Sequence, residues 1–139
     1  MTSEKKAIDY PESEVLLNHD VRPLLHRVMV YRYLLENRVH PTADDIYTGL
    51  TKQGASIARS TVYNNLALLV TKKVIQALAI EDKELRYDAC MTPHIHFKCT
   101  RCGKVYDIDE KKFPFIELDA GFRADEVEIS VRGRCPACQ

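Results

Sequence analysis

The sequence predicts an α+β chain: a helical, winged first part, then a small strand-rich second part stapled by a metal ion. Three observations predict it. Apolar residues recur at helical spacing through successive segments up to about residue 73. The text then changes to short runs rich in β-branched and aromatic residues. The second part, about 46 residues from His94 to Gln139, contains two Cys-x-x-Cys pairs. At that size an apolar core seldom suffices without a metal, a disulfide or a partner.

Residues 1–20 carry two basic and five acidic side chains and read as a frayed or loosely docked N-terminal arm, with no function assigned. They contain no run resembling a signal-peptide core, and no segment approaches the length needed to span a bilayer. A soluble, cytoplasmic protein is expected, with no membrane partner. From Val21, RPLLHRVMVYRYLLENRV repeats Leu24, Val28, Tyr31, Leu34 and Leu35 at helical spacing, with Pro23 suited to an early helical position. The stretch HPTADDIYTGLTKQG supplies Thr42 as N-cap, Asp44 and Asp45 where the helix dipole favours acids, and Gly54 as a stop. In ASIARSTVYNNLALLVTKKVI, Val62, Leu66 and Leu69 form one stripe, and Arg59, Ser60, Tyr63 and Asn64 stand near its start.

Three helices with short connections, the last opening on polar and aromatic residues, suggest a helix-turn-helix. A small helical bundle with no DNA partner is the competing reading. VIQALAI and ELRYDA flank EDK as a hairpin-like wing, giving a winged-helix domain over residues 21–84. Residues 85–93 read as a hinge and 94–139 as a metal-binding domain. There, HIHFKC, KVYDI and EVEISVRG read as strands, the last alternating Val127, Ile129 and Val131 with Glu128, Ser130 and Arg132. KKFPFIELDAG reads as a short amphipathic piece whose helical extent Pro114 limits.

Charge is balanced overall, with 20 basic and 20 acidic residues, but unevenly distributed. From Ile46 to Ile80 there is no Asp or Glu, while Lys52, Arg59, Lys72 and Lys73 give a local charge of +4. That field suits a phosphate backbone, although a solvated helix face would show it too.

Five cysteines without export signals argue against a disulfide framework. Cys99 and Cys102, with Cys135 and Cys138, form two knuckles that place four thiolates on one ion, and structural Zn2+ is the expected occupant ahead of a redox dithiol or an iron–sulfur cluster. The 32 residues between the pairs exceed the usual zinc-ribbon interval, so a strand and a helix should loop out and return. His94 and His96, two apart on a strand, project from one face, while Cys99 is odd-spaced and faces the other. Two histidines alone are more often partly exposed side chains; further donors are at hand in Asp88, Asp107 and His40. Cys90 reads as a small buried hydrophobe.

HPTADDIY, STVYNNL, LRYDA, HIHFKCTRCGKVYDI and VRGRCPACQ, in this order, resemble the ferric uptake regulator family of metal-responsive repressors, over residues 21–139. Within it the chain is similar to the peroxide-sensing branch. The resemblance implies a regulatory Fe2+ or Mn2+ on His40, Asp88, His94, His96 and Asp107, with Asp107 as the branch-favouring residue. It also implies peroxide-driven oxidation of His40 or His94, and DNA contact through Arg59, Ser60, Thr61, Tyr63 and Asn64. A homodimer formed through residues 94–139 and bound to palindromic double-stranded DNA is implied as well. No histidine follows His96, so the additional metal site of several relatives is not expected.

This chain departs from the family at Leu24-Leu25-His26, where only Arg27 of the usual motif is kept. It departs again at Ala58, leaving Ser56 or Ser60 to cap the helix, and at Lys73, in place of a glycine. The rival readings are an iron- or manganese-responsive repressor without peroxide sensing, a metal-dependent hydrolase, and a zinc-stapled protein-interaction module. No general base or substrate pocket declares itself, so the chain is not expected to be an enzyme.

Overall fold

The computed structural model describes residues 11–79, 84–91, 94–108, 110–112 and 114–139. The chain forms two compact units, Met1–Met91 and Thr92–Gln139.

The first unit has four helices, α1 (Glu12–Asn18), α2 (Leu25–Glu36), α3 (Ala43–Lys52) and α4 (Arg59–Thr71), followed by strands β1 (Gln76–Leu78) and β2 (Arg86–Asp88). The strands pair antiparallel with Gln76 opposite Asp88, which makes the wing; the EDK tip lies outside the described residues. Leu16, Val28, Leu34, Ile46, Val62, Leu66, Leu69 and Ile75 are all at most 1% exposed and form one core. Each element therefore contributes an apolar stripe to a shared interior, and most of the helical stability comes from that packing rather than from propensity.

Local chemistry sets the helix ends. Thr42 accepts a hydrogen bond from the Asp45 N–H, and the Asp45 carboxylate accepts one from the Thr42 N–H, so a reciprocal capping box opens α3. Gly54, at φ 90°, turns the chain between α3 and α4. Lys73 lies at φ 61° beyond α4, and the Val74 N–H reaches back to the Leu69 carbonyl at 2.9 Å. A left-handed residue closing a helix through that long-range bond is normally glycine.

Several expectations fail here. Of the frayed or loosely docked arm expected over residues 1–20, residues 1–10 lie outside the described residues, and the rest is firmly docked: α1 buries Leu16 and Ser13, and Glu12 accepts two hydrogen bonds from Arg32 at 3.1 and 2.8 Å. A stripe of seven residues is too short to stand out as a helix in the sequence, because only tertiary contact stabilises it. Pro23 precedes the helix, Leu24 being the N-cap, and Leu35 is exposed. Ala58 occupies the N-cap of α4 and brings no side-chain hydrogen bond to it, so neither Ser56 nor Ser60 supplies the cap position.

The second unit is a three-stranded sheet in the order β4–β3–β5, from β3 (Ile95–Cys99), β4 (Val105–Ile108) and β5 (Ile129–Gly133). β4 runs antiparallel to β3, with His96 opposite Asp107, and β5 runs parallel to it, with Cys99 opposite Gly133. The returning helix expected between the cysteine pairs is absent: among the described residues only a 3₁₀ turn, Glu110–Lys112, lies between β4 and β5. Pro114 follows closely and cannot donate to a continued helix. β5 is also shorter than EVEISVRG, and Val127 and Val131 of that alternation are 38% and 43% exposed.

Candidate functional site

The parallel register of β5 on β3 assembles the cysteine set. Cys99 ends β3, Cys102 sits in the following turn, and Gly133 opposite Cys99 carries the chain two residues on to Cys135, ahead of a 3₁₀ turn, Pro136–Cys138. The four sulfurs lie within 4.8 Å of one another. The Cys99 Sγ accepts the N–H groups of Cys102 at 3.4 Å and Cys135 at 3.5 Å. Those donors pull the Cys99 thiol down to about 5, since a hydrogen bond to the charged form favours it. The Tyr106 hydroxyl donates to Cys135 and lowers its thiol too, and the same bond, with burial, pushes Tyr106 up to about 12. Cys138, crowded by Cys135 and its other sulfur neighbours, is pushed up to about 12.

Four clustered thiols therefore cannot all ionise unless a cation joins them, and a divalent soft-tolerant ion meets that need. A tetrahedron with bonds of about 2.3 Å has edges of about 3.8 Å, and the Cys102 and Cys135 sulfurs are 3.8 Å apart. The set fits structural zinc.

The first unit holds a second pair of donors. His40, 2% exposed, lies in a left-handed conformation at φ 57° immediately before Pro41, a combination of backbone constraints that costs free energy and recurs at functional positions. Its Nε2 is 3.3 Å from Asp88 Oδ2. Asp88, on β2, also accepts the Cys90 N–H at 2.9 Å and stands 3.7 Å from Arg38. Arg86 donates to the His40 carbonyl at 3.0 Å and the Tyr87 N–H to the Pro41 carbonyl at 3.0 Å. The His40 loop is thereby laced to the strand that carries Asp88. Arg86 is a residue that the sequence reading passed over, since nothing local marks a bond spanning 46 positions.

In the second unit His94, His96 and Asp107 converge. Asp107 Oδ1 lies 2.9 Å from His94 Nε2 and 3.6 Å from His96 Nε2, and the two rings are 4.2 Å apart. His96 and Asp107 are cross-strand partners on one face of the sheet. Imidazoles with carboxylate and no thiolate suit Fe2+, Mn2+ and similar ions of intermediate softness.

On α4, Arg59, Ser60, Tyr63 and Asn64 are exposed and Thr61 is half-buried. Asn65, two residues beyond Tyr63, is instead buried and accepts the Arg27 Nε–H at 3.0 Å, which gives the retained arginine a packing role.

The sequence model of the ferric uptake regulator family matches residues 18–129. The chain belongs to the ferric uptake regulator family. It is 31% identical over 129 residues to the peroxide operon regulator of Bacillus subtilis strain 168, spanning 90% of this chain and 89% of that one. It is 29% identical over 146 residues to a peroxide-responsive repressor of Staphylococcus epidermidis, spanning 100% and 97%. The solved ferric uptake regulator of Vibrio cholerae shares the fold at a TM-score of 0.72 and 16% identity, over 89% of this chain and 99% of that one. As a member of the ferric uptake regulator family the chain is a metal-responsive, DNA-binding regulator of transcription. Among the described residues no helix is long and apolar enough to cross a membrane.

Proposed function

We propose that this family member is a dimeric transcriptional repressor that binds DNA with a divalent ion on His40, Asp88, His94, His96 and Asp107, and lets go when hydrogen peroxide oxidises one of those histidines. The observation that carries this reading is the convergence of His94 and His96 on one Asp107 oxygen, with no sulfur donor among the five. The peroxide-responsive relatives support it as well.

Ferrous iron held by these residues would supply the reduction that starts peroxide cleavage, and peroxide, a two-electron oxidant overall, would leave one oxygen on an imidazole carbon and the other as water. His40 and His94 are the proposed targets. An imidazole that gains an oxygen is a poorer donor, so the set loses a ligand and the ion is released. His40 and Asp88 belong to the winged-helix unit and the other three to the sheet unit. One ion taken by both sets would limit the freedom of the units and favour a DNA-competent state by its differential affinity for that state. The four cysteines hold a structural zinc, remote in role from this switch.

Phe115 and Phe122, 93% and 73% exposed, together with Val127 and Val131, give the sheet unit an apolar surface for a second copy. A two-fold dimer would set two α4 helices in successive major grooves, about 34 to 36 Å apart, on a palindromic duplex.

The test loads the protein with Fe(II), adds substoichiometric peroxide and maps oxygen by mass spectrometry. One added oxygen on His40 or His94, with loss of DNA binding, is expected. The Mn(II) form should resist, since Mn(II) does not readily reduce peroxide. An iron form that stays unmodified and DNA-bound would make the chain an iron- or manganese-responsive repressor instead.

A further inference from the structure

We propose that Asp44 is a positioning residue that fixes Arg59 and Tyr63 for base reading by α4, and so sets part of the sequence specificity. This rests on the DNA-binding reading above. Asp44 lies in the first turn of α3, and its Oδ1 takes both an ion pair from Arg59 Nη1 and a hydrogen bond from the Tyr63 hydroxyl at 3.2 Å. Arg59 and Tyr63 stand four apart on α4 and so share a face. From the facing helix, the Tyr47 ring supports the guanidinium, 4.5 Å from the ring centroid, a contact that stabilises a cation electrostatically. Two residues of α3 therefore hold two residues of α4.

The held groups are still reachable. The Arg59 side chain is 56% exposed and Tyr63 is 44% exposed. Asp44 takes one nitrogen, Nη1, which leaves the Nε–Nη2 edge without a hydrogen bond among the described residues. That edge has the fork geometry that pairs with guanine O6 and N7. A guanidinium already restrained by a carboxylate and an aromatic ring loses less rotamer freedom when it forks onto a base. Asp44 also places a negative charge beside the helix that would meet the phosphates, so it opposes indiscriminate binding.

These two effects have opposite signs, which separates specificity from mere folding. Asp44→Asn keeps the shape, removes the charge, and leaves the Thr42–Asp45 capping box intact. Arg59→Lys keeps the charge but cannot fork.

The experiment uses the zinc- and Mn(II)-loaded full chain and a pool of duplexes randomised over about two helical turns, roughly 21 base pairs. Wild type should enrich a two-fold sequence with a guanine in each half-site. Asp44→Asn and Arg59→Lys should each weaken that guanine preference about tenfold. The double variant should lose little more, because the residues act as a unit. Affinity of Asp44→Asn for an unrelated duplex should rise. A guanine preference that both variants retain, or an equal loss of specific and unrelated binding in Asp44→Asn, overturns the inference while leaving the regulator reading intact. A wild-type protein that enriches no sequence overturns the DNA-binding reading, and this inference with it.

Discussion

The two units bury different chemistry. In the winged-helix unit the buried set is dominated by aliphatic residues from every helix, eight of them at most 1% exposed. In the sheet unit the buried residues among those described are His94, His96, Cys99, Val105 and Cys135. Four of those five have side chains that could ligate a metal ion. Burying apolar area stabilises at about 25 cal/mol per Å2 with or without a metal ion, whereas buried donors stabilise only when an ion joins them. The first unit is thus expected to hold without metal and the second to depend on it.

The largest expected effect tests that contrast. Cys99→Ser, or removal of zinc by a chelator, takes away a binding free energy of order 10 to 16 kcal/mol in small zinc modules. The amides of β3, β4 and β5 should lose protection from hydrogen exchange, while those of α2 and α4 keep theirs. Sheet amides that stay protected without zinc would refute the comparison.

A core deletion should show the reverse pattern with a smaller magnitude. Leu66→Ala removes a fully buried side chain from α4 and should cost about 2 to 5 kcal/mol. The urea midpoint of the winged-helix unit should fall while the zinc content stays unchanged.

The smallest effect concerns the docking of α1. The Arg32 guanidinium hydrogen-bonds Glu12 and holds its carboxyl below the ordinary glutamate value. A carboxylate lowered in the folded state contributes stability above its unfolded pKa, about 4.3, and loses it as pH falls through the folded value. Exchange protection in α1 should therefore decline on acidification below about pH 4.3, and Arg32→Ala should abolish that dependence. Because the pair is partly exposed, the change is expected to stay at or below about 1 kcal/mol.

Much of the fold was legible because its signals are local. Val62, Leu66 and Leu69 recur at helical spacing and all three are buried. Thr42 reads as an N-cap ahead of two acids, and it is the N-cap, with Asp45 closing a capping box three residues on. The cysteine knuckles are visible for the same reason, and strand register sets His96 of β3 opposite Asp107, with His94 just ahead of the strand. What escaped was non-local. The helix α1 exists because Leu16 and Ser13 pack into the core and Glu12 meets Arg32 twenty positions away. KKFPFIELDAG has an amphipathic look, yet Phe115, Ile116 and Leu118 in it are all exposed, and Pro114 interrupts it. The stretch around Arg59 is acid-free only along the chain, since Asp44, fifteen residues away, sits against it.

The sequence by itself marked the two cysteine knuckles and where the main helices run, because ligand spacing, capping and hydrophobic period act within a few residues. Tertiary structure alone decided the left-handed bend at His40, secured by Arg86 from 46 positions away, and the Asp44 clamp on Arg59. Those contacts join residues whose separation in the chain carries no periodic signature, and only the packed core brings them within reach.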